Sequence, residues 1–320
     1  MCIVFYLCNQ NKLHGSLIFK EKIEFKPIEI DDLPEISKIL QCQTYRTCDF
    51  TIGGIFMWVS YFKYEYTIYA ETLFIKGLSE VDSSETAFSL PIGELSAGDS
   101  IRVLQTYCEQ NGLKLILSAV PKPAIDYLTS TYKLASQQLT DWSDYLYDAA
   151  QLASLKGKQY NKKRNHTNRF YKTYPNYKYQ RITSQNISDV VFFFEQYKAR
   201  HNEYNELFRN ELNTTEIIVN NYFRFNFIGA VIEIENKIVA FTIGEVIKDT
   251  LYIHIEKAFS EYSGIYETIN MKFASDIIEH YPQVLYINRE EDVGDPGLRK
   301  AKLSYKPILI LEKYNLCEMR

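Results

Sequence analysis

The sequence lacks the cysteine and histidine spacings that mark metal-binding and disulfide-rich proteins. Its 320 residues include six cysteines and five histidines, but they form no C-x-x-C pair and no spacing typical of metal ligands. We therefore expect no bound metal and reduced cysteines of the kind found in cytoplasmic proteins.

Long apolar runs and an excess of positive charge are also missing. No stretch reaches the roughly 18 apolar residues of a membrane helix, and the apolar start of the chain has no basic segment before it. Residues 1–22 are expected to be an N-terminal extension of a soluble, cytoplasmic protein. The net charge of −4 excludes a protein that coats nucleic acid through its overall charge, although a local basic patch remains compatible with it.

The length and the order of the predicted elements indicate two α+β (mixed α/β) domains, at residues 23–148 and 149–320. In the second, helices precede three strands at 228–234, 238–246 and 251–258, which form a predicted antiparallel meander. A helix at 265–281 then returns the chain to a strand at 284–288, and a short helix at 296–304 follows. This order matches the layout of the GNAT acyltransferase fold.

Six segments of the sequence carry a closer resemblance: LKGK (155–158), KKRNH (162–166), AFTIGE (240–245), HIEK (254–257), NRE (288–290) and GLRKAKLSY (297–305). They resemble a family of uncharacterised bacterial proteins that is similar to the C-terminal domain of the phosphatidylglycerol lysyltransferases. The resemblance implies two tandem GNAT-like domains over nearly the whole chain. Lysyltransferases and the related Fem-type enzymes take an aminoacyl group from charged tRNA, so it also implies an aminoacyl donor.

A histidine and a carboxylate lie two residues apart in the predicted strand at 251–258. Because side chains alternate along a strand, His254 and Glu256 are expected on one face, where their burial is costly unless they are paired or face a cleft. One interpretation makes Glu256 a general base with His254 as its partner. The other is a hydrogen-bonded pair within the core.

The predicted helix at 296–304 carries an inward-facing lysine. Asp295 is its expected N-cap and Pro296 its first residue, so that Lys302 and Tyr305 fall on the face that packs on the sheet. Gly297, Leu298, Lys302 and Tyr305 are similar to a Fem-type pattern. Lys302 is therefore predicted to stabilise an oxyanion or phosphate. In one alternative, Lys302 forms an ion pair with Glu290 or Asp292. In the other, its aliphatic stem lies on the core and its ammonium is in water. Residues predicted to line the substrate site are Asn288, Arg289, Glu290 and Tyr305.

The loop before the helix at 265–281 departs from the pattern of CoA-dependent GNAT enzymes. Those enzymes hold the pyrophosphate on the backbone amides of a glycine-rich turn at a helix N-terminus. Here only Gly264 fits, Glu261 would repel a phosphate, and Tyr266 is bulky. We expect no cofactor and disfavour CoA, with Gly264 kept as a substrate-binding residue.

A basic helical stretch at 156–174 is the predicted nucleic-acid site. The residues proposed to contact the phosphates of charged tRNA are Lys158, Lys162, Lys163, Arg164 and Arg169. The alternative is an ordinary solvated helix face.

Together these features predict an aminoacyltransferase acting on charged tRNA and on an amine or hydroxyl of a small-molecule, lipid or peptide acceptor. The alternatives are a CoA-dependent N-acyltransferase and a non-catalytic module that binds a small molecule or RNA.

Overall fold

The computed structural model describes residues 23–201 and 205–318; the predicted extension at 1–22 lies outside them. Within these ranges the strands are β1 Lys26–Pro27, β2 Glu65–Tyr69, β3 Thr72–Leu78, β4 Thr86–Ser89, β5 Ile92–Gly93, β6 Ile116–Pro121, β7 Leu134–Gln138, β8 Asp144–Asp148, β9 Lys178–Arg181, β10 Ile228–Ile234, β11 Lys237–Ile247, β12 Thr250–Ala258, β13 Tyr286–Asn288, β14 Leu309–Leu311 and β15 Lys313–Glu318.

The α-helices in the same ranges are α1 Leu33–Leu40, α2 Ile52–Trp58, α3 Ala97–Asn111, α4 Lys122–Tyr132, α5 Ala149–Ser154, α6 Asn161–Thr173, α7 Ile187–Ala199, α8 Glu206–Asn220, α9 Ile265–His280 and α10 Pro296–Ser304. None of these described helices combines the length and the apolarity that a bilayer crossing requires.

The first compact unit contains residues 23–45, 61–139 and 313–318. Its main sheet has the order β1-β2-β3-β4-β6-β15-β7, and β5 pairs with β3 at the side. Helices α3 and α4 cover a core that includes Phe88, Leu104, Leu117 and Leu316. Ser96 caps α3 by accepting the amide of Asp99, which satisfies one of the unpaired donors at the helix start.

The second unit contains Arg46–Ser60 and Thr140–Glu312. Its seven-stranded sheet has the order β14-β8-β13-β12-β11-β10-β9. Strands β10, β11 and β12 form the antiparallel meander, and α9 carries the chain to β13, which is parallel to β12. Leu251, Phe273, Ile277 and Ile287 are fully buried between the sheet and α9.

The strands β12 and β13 separate at the end that bears the predicted site. They pair only at Thr250 to Tyr252 and Tyr286 to Asn288, whereas β12 continues to Ala258. The second half of β12 and the residues after Asn288 therefore share no backbone hydrogen bonds in the described ladder, and their side chains set the local structure.

The compact units differ from the predicted domain ranges in two segments. Residues 46–60 group with the second unit, although they lie deep in the N-terminal half of the sequence. The last strand, β15, groups with the first unit because it pairs with β6 and β7. Both assignments arise from contacts between residues far apart in the chain, which local sequence patterns do not report.

Candidate functional site

A bulge in β12 separates the two residues that were predicted to act together. In the ladder with β11, Ile255 pairs with Ile243 and Ile253 pairs with Gly244. Since Ile243 and Gly244 are consecutive, His254 is the extra residue of the bulge. A bulge interrupts the alternation of side chains. His254 therefore turns to the side of the sheet that α2 covers, and Glu256 turns to the side that α9 covers. The prediction that they share a face is wrong for this reason.

On the α2 side, His254 lies between two carboxylates, a group we call the His254 cluster. Its Nδ1 is 2.6 Å from Glu290 Oε1 and its Nε2 is 3.0 Å from Glu245 Oε1. Glu245 also accepts the backbone amide of Gly53 at 2.8 Å. Burial lowers the pKa of His254, but Glu290 and Glu245 outweigh it and raise this pKa to about 10. The imidazole is therefore a buried cation at neutral pH.

Gly53 is required by this arrangement. A Cβ atom at this position would lie 2.2 Å from the ring of His254, far inside van der Waals contact. The absence of a side chain lets α2 approach the bulge closely enough for its amide to reach Glu245. The His254 cluster therefore depends on a segment, residues 46–60, that sequence reasoning placed elsewhere.

On the α9 side, Glu256 is the centre of a second group, the Glu256 cluster. Its Oε1 accepts Arg289 Nη2 at 3.0 Å and its Oε2 accepts Asn270 Nδ2 at 3.3 Å. The guanidinium of Arg289 lies 4.8 Å from the ring centre of Tyr305. The predicted residues Glu256, Arg289 and Tyr305 thus come together, and Asn270 joins them from α9.

Three polar atoms around Glu256 have no hydrogen-bond partner within the described part of the chain. They are Nη1 of Arg289, Oδ1 of Asn270 and Oγ1 of Thr242. Asn270 and Thr242 are fully buried, and Thr242 pairs with Glu256 across the ladder, so both side chains lie on the α9 side. Buried polar atoms are normally satisfied. Of these atoms, Arg289 Nη1 can donate, Asn270 Oδ1 can accept, and the hydroxyl of Thr242 can do either.

Lys163 completes the Glu256 cluster from α6. Its ammonium lies 3.8 Å from the ring centre of Tyr305 and 3.3 Å from Glu267 Oε1. Burial lowers the pKa of Lys163, and Glu267 opposes that shift. Burial raises the pKa of Tyr305, which keeps its hydroxyl protonated. The prediction that Lys163 binds nucleic acid is not supported by this inward position.

Lys302 is buried as predicted, but its partners are main-chain carbonyls. The ammonium donates to the carbonyl oxygens of Arg289 at 2.6 Å, Glu290 at 3.1 Å and Glu291. An ammonium has three N–H donors, and all three are used here. Burial lowers the pKa of Lys302, while Glu291 and Glu290 raise it. The geometry corrects the predicted oxyanion contact: Lys302 fixes the loop from which Arg289 and Glu290 extend to opposite sides.

Asn288 has a structural position at the end of β13. Its amide nitrogen donates to the carbonyl of Arg46 at 2.7 Å and to Asp144 Oδ2 at 2.8 Å, and its Oδ1 accepts the amide of Glu290. Asn288 is fully buried. These bonds occupy the side chain, so the predicted substrate contact at Asn288 is corrected to support of the loop.

One group of side chains has ligand atoms close enough to hold a metal ion. Cys48, Asp49 and Asp144 bring one such atom each within 4.8 Å of one another. Asp144 also accepts the backbone amide of Cys48 at 2.7 Å. The absence of a metal stays a prediction from the sequence.

The N-terminus of α9 packs against another helix. Gly264 has φ +86°, and a Cβ there would lie 2.3 Å from the backbone oxygen of His166 on α6. Glu261 forms an ion pair with Arg200 at 2.6 Å. The glycine thus serves the close approach of α6 and α9, which corrects the expectation that it contacts substrate.

The basic stretch at 156–174 is divided between exposed and structural cations. The helix α6 starts only at Asn161. Arg164 donates to the backbone oxygens of Leu155 and Gly157, so it closes the preceding turn. Lys158, Lys162 and Arg169 are exposed. Lys163 is three residues after the buried Tyr160 and four residues before the buried Thr167. Residues at these spacings share one face of a helix, so this pattern is the sequence signal for the inward position of Lys163.

Comparisons with known proteins agree with this architecture. A conserved protein of unknown function from Bacteroides thetaiotaomicron is 31% identical, with coverage of 93% of this chain and all of that chain and a TM-score of 0.81. L-PGS from Bacillus licheniformis is 14% identical over 93% of this chain and 94% of that chain, with a TM-score of 0.64. FemX is 7% identical, and the match covers 93% of this chain and 98% of FemX with a TM-score of 0.57.

A curated protein of Mycoplasmoides gallisepticum is 24% identical over 174 residues, which span 54% of this chain and 55% of the relative. The likeness to these solved structures confirms the predicted mixed α/β fold. The sequence model of the phosphatidylglycerol lysyltransferase C-terminal domain matches residues 44–317. The chain belongs to this family.

Proposed function

We propose that the chain is a GNAT-fold aminoacyltransferase that moves an aminoacyl group from charged tRNA to a hydroxyl or amine acceptor. The family and the fold support the reaction class. The observation that carries the proposal is the set of unpartnered atoms around Glu256: Nη1 of Arg289, Oδ1 of Asn270 and Oγ1 of Thr242.

The polarity of these atoms fits an aminoacyl group better than a plain acyl group. Arg289 Nη1 can only donate, so it requires an acceptor such as a carbonyl oxygen. Asn270 Oδ1 can only accept, and Glu256 adds negative charge beside it, so both favour an ammonium group. An aminoacyl ester supplies a carbonyl and an ammonium on adjacent carbons, whereas an acetyl group supplies only the carbonyl.

The residues can be assigned to the steps of such a transfer. The acceptor's oxygen or nitrogen attacks the ester carbonyl carbon, and the bond from that carbon to the ribose oxygen breaks. Arg289 faces the carbonyl oxygen and stabilises its developing negative charge. Glu256 takes the acceptor's proton as a general base and then gives it, as a general acid, to the leaving ribose oxygen. The ring of Tyr305 lies beside the guanidinium, and the ammonium of Lys163 lies against the same ring and Glu267.

The geometry at the start of α9 gives the alternative, a CoA-dependent transfer, less support. A pyrophosphate needs open backbone amides at this helix end. Here Gly264 lies against the backbone oxygen of His166. The Glu261 carboxylate lies in the same turn. Burial raises the pKa of Glu261, but a backbone hydrogen bond and Arg200 outweigh burial and lower this pKa. An ionised carboxylate repels phosphate, and its ion pair with Arg200 occupies the nearest cation.

The name of the family points to the first substrates to test. Lysyl-tRNA is the natural first donor and phosphatidylglycerol, with its free hydroxyls, the first acceptor. The exposed cations Lys158, Lys162 and Arg169 are proposed to contact the tRNA backbone. A peptide amine is the second acceptor class, as in Fem-type transfer.

The test compares two site variants with a matched control. We expect Glu256→Gln to lower kcat by about 10²–10⁴-fold and Arg289→Met by about 10²–10³-fold. Arg181→Met is the control, because Arg181 forms an ion pair of similar geometry with Asp276 at 2.9 Å elsewhere in the same unit. Circular dichroism establishes that each variant is folded. Wild-type turnover in folded Glu256→Gln and Arg289→Met would exclude this site.

A further inference from the structure

Side chains join β12 to the loop after β13 where the backbone ladder between the two strands has ended. The ladder includes neither His254 nor Glu256. On the α2 side, His254 Nδ1 lies 2.6 Å from Glu290 Oε1, a contact we call the His254–Glu290 link. On the α9 side, Glu256 Oε1 accepts Arg289 Nη2 at 3.0 Å. The separated strand ends are therefore connected once on each side of the sheet.

The two connections meet in one peptide of the loop. Arg289 and Glu290 are consecutive, and their side chains reach opposite sides of the sheet. Glu290 has a φ of +57°, a left-handed conformation that is unfavourable for a residue with a side chain. Its amide donates to Asn288 Oδ1 at 2.6 Å, and its carboxylate contacts His254. The position of Arg289 therefore depends on where the carboxylate of Glu290 is held.

The His254 end of the link is fixed. The side chain of His254 is fully buried, and its Nε2 lies 3.0 Å from Glu245 Oε1. Glu245 is held in turn by the amide of Gly53 at 2.8 Å, and the ring of Phe227 lies 5.4 Å from the imidazole between ring centres. With both ring nitrogens bonded and the ring enclosed, His254 is a firm anchor for Glu290.

We propose that His254 and Glu290 are positioning residues for the transfer reaction, because their contact sets the spacing between β12 and the loop that carries Arg289. The inference rests on the proposed function, which assigns the carbonyl oxygen of the donor to Arg289. A misplacement of about 1 Å that starts away from the reacting atoms lowers a rate by about 10²-fold. The link thus controls the rate without touching the substrate.

A buried ion pair that only stabilises the fold is the alternative role of the link. Its removal would lower the free energy of unfolding and leave kcat of the folded protein unchanged. The two roles also differ in what matters about Glu290. A positioning role depends on the length of the side chain, whereas a purely electrostatic role depends on its charge.

The experiment changes the length of the link and measures kcat and KM with lysyl-tRNA as donor and phosphatidylglycerol as acceptor. Glu290→Asp keeps the charge but is one methylene shorter, and we expect kcat to fall by about 10–10²-fold with KM for the donor changed less than about threefold. Glu290→Gln keeps the length and an acceptor oxygen and should retain more activity. Glu211→Asp is the matched control, because Glu211 on α8 pairs with Lys257 of the same strand β12.

Two further variants test whether the link acts through Arg289. In an Arg289→Met background, Glu290→Asp should lower kcat by less than about threefold, since effects that act through one group are not additive. Glu290→Gly removes the link and favours the left-handed backbone. It replaces Glu290→Asp if that variant does not fold, and the same loss of kcat is expected.

Three results with an active wild type would overturn the positioning role and leave the proposed function intact. One is wild-type kcat in folded Glu290→Asp and Glu290→Gly while Arg289→Met is impaired. Another is a greater loss in Glu290→Gln than in Glu290→Asp, which would assign the effect to charge. The third is an equal loss in Glu211→Asp, which would assign it to general destabilisation.

An inactive wild type would instead contradict the proposed function, and urea unfolding then tests the link by itself. Glu290→Asp should have a smaller effect on the unfolding equilibrium constant in a Glu256→Gln background, by more than about threefold. Independent sites add to within about twofold in this constant. Additive effects of the two changes would overturn the positioning role.

Discussion

Lys302 shows how a buried ammonium can organise a loop without touching a substrate. It holds three consecutive carbonyls, those of Arg289, Glu290 and Glu291. The side chains of Arg289 and Glu290 then reach the Glu256 cluster and the His254 cluster. One lysine thus sets the position of two charged groups on opposite sides of the sheet.

Replacement of Lys302 by methionine is expected to destabilise the protein. The change keeps the aliphatic stem but leaves buried carbonyls unsatisfied, at about 1–3 kcal/mol for such a group. Urea unfolding of Lys302→Met measures the difference. Lys300→Met, on the exposed side of α10, is the control and should change stability by less than about 0.5 kcal/mol. Equal stability of the two variants would contradict the assigned role.

The buried His254 makes stability depend on pH. Its pKa is raised from 6.5 to about 10 in the folded protein, so the protonated form stabilises the fold. This contribution is complete below about pH 6.5 and is lost as the pH rises towards 10. His254→Gln, which leaves two buried carboxylates without their cation, is expected to cost about 3–5 kcal/mol at pH 6.

The measurement is the free energy of unfolding of wild type and His254→Gln from pH 6 to 10. The difference between them should shrink as the pH rises. His280→Gln changes an exposed histidine on α9 and is the control. A difference that is constant or grows with pH would show that His254 is neutral in the folded protein.

At the scale of elements, local signals predicted some features closely and others not at all. Asp295 caps α10 by accepting the amide of Leu298 at 2.6 Å, and Pro296 is its first residue, as expected from capping rules. In β12 the alternation rule failed at the bulge. Nothing local in the sequence marks His254 as an extra residue, because the bulge arises from its pairing with β11 and from its bonds to Glu245 and Glu290.

The helix α6 gives a prediction that separates tRNA binding from the solvated-face alternative. Charge reversal at Lys158, Lys162 and Arg169 should weaken tRNA binding and reduce the slope of log affinity against log salt, by about 0.9 for each phosphate that the variant no longer neutralises. Lys38, Lys133 and Lys237, also exposed, provide a control with the same change in net charge. The same slope in both triple variants would return α6 to an ordinary solvated helix.

At the scale of the whole molecule, the order of elements predicted the fold, but not which segments share a unit. Residues 46–60 supply Gly53 to the His254 cluster, and Arg46 supplies a carbonyl to Asn288. These contacts join positions about 200 residues apart, which a single sequence cannot reveal. Asn270 was missed for a related reason: an asparagine within an apolar helix face is a signal only once its carboxylate partner is known.

The central claim is that the Glu256 cluster receives an aminoacyl group. Its most direct test incubates the full chain with tRNAs charged with different amino acids, or with acetyl-CoA, in the presence of phosphatidylglycerol and of a peptide amine, and identifies products by mass. We predict an acceptor that gains one aminoacyl residue from a charged tRNA, and no such product with Glu256→Gln. A product formed from acetyl-CoA alone, or an aminoacyl product formed equally by Glu256→Gln, would contradict the claim.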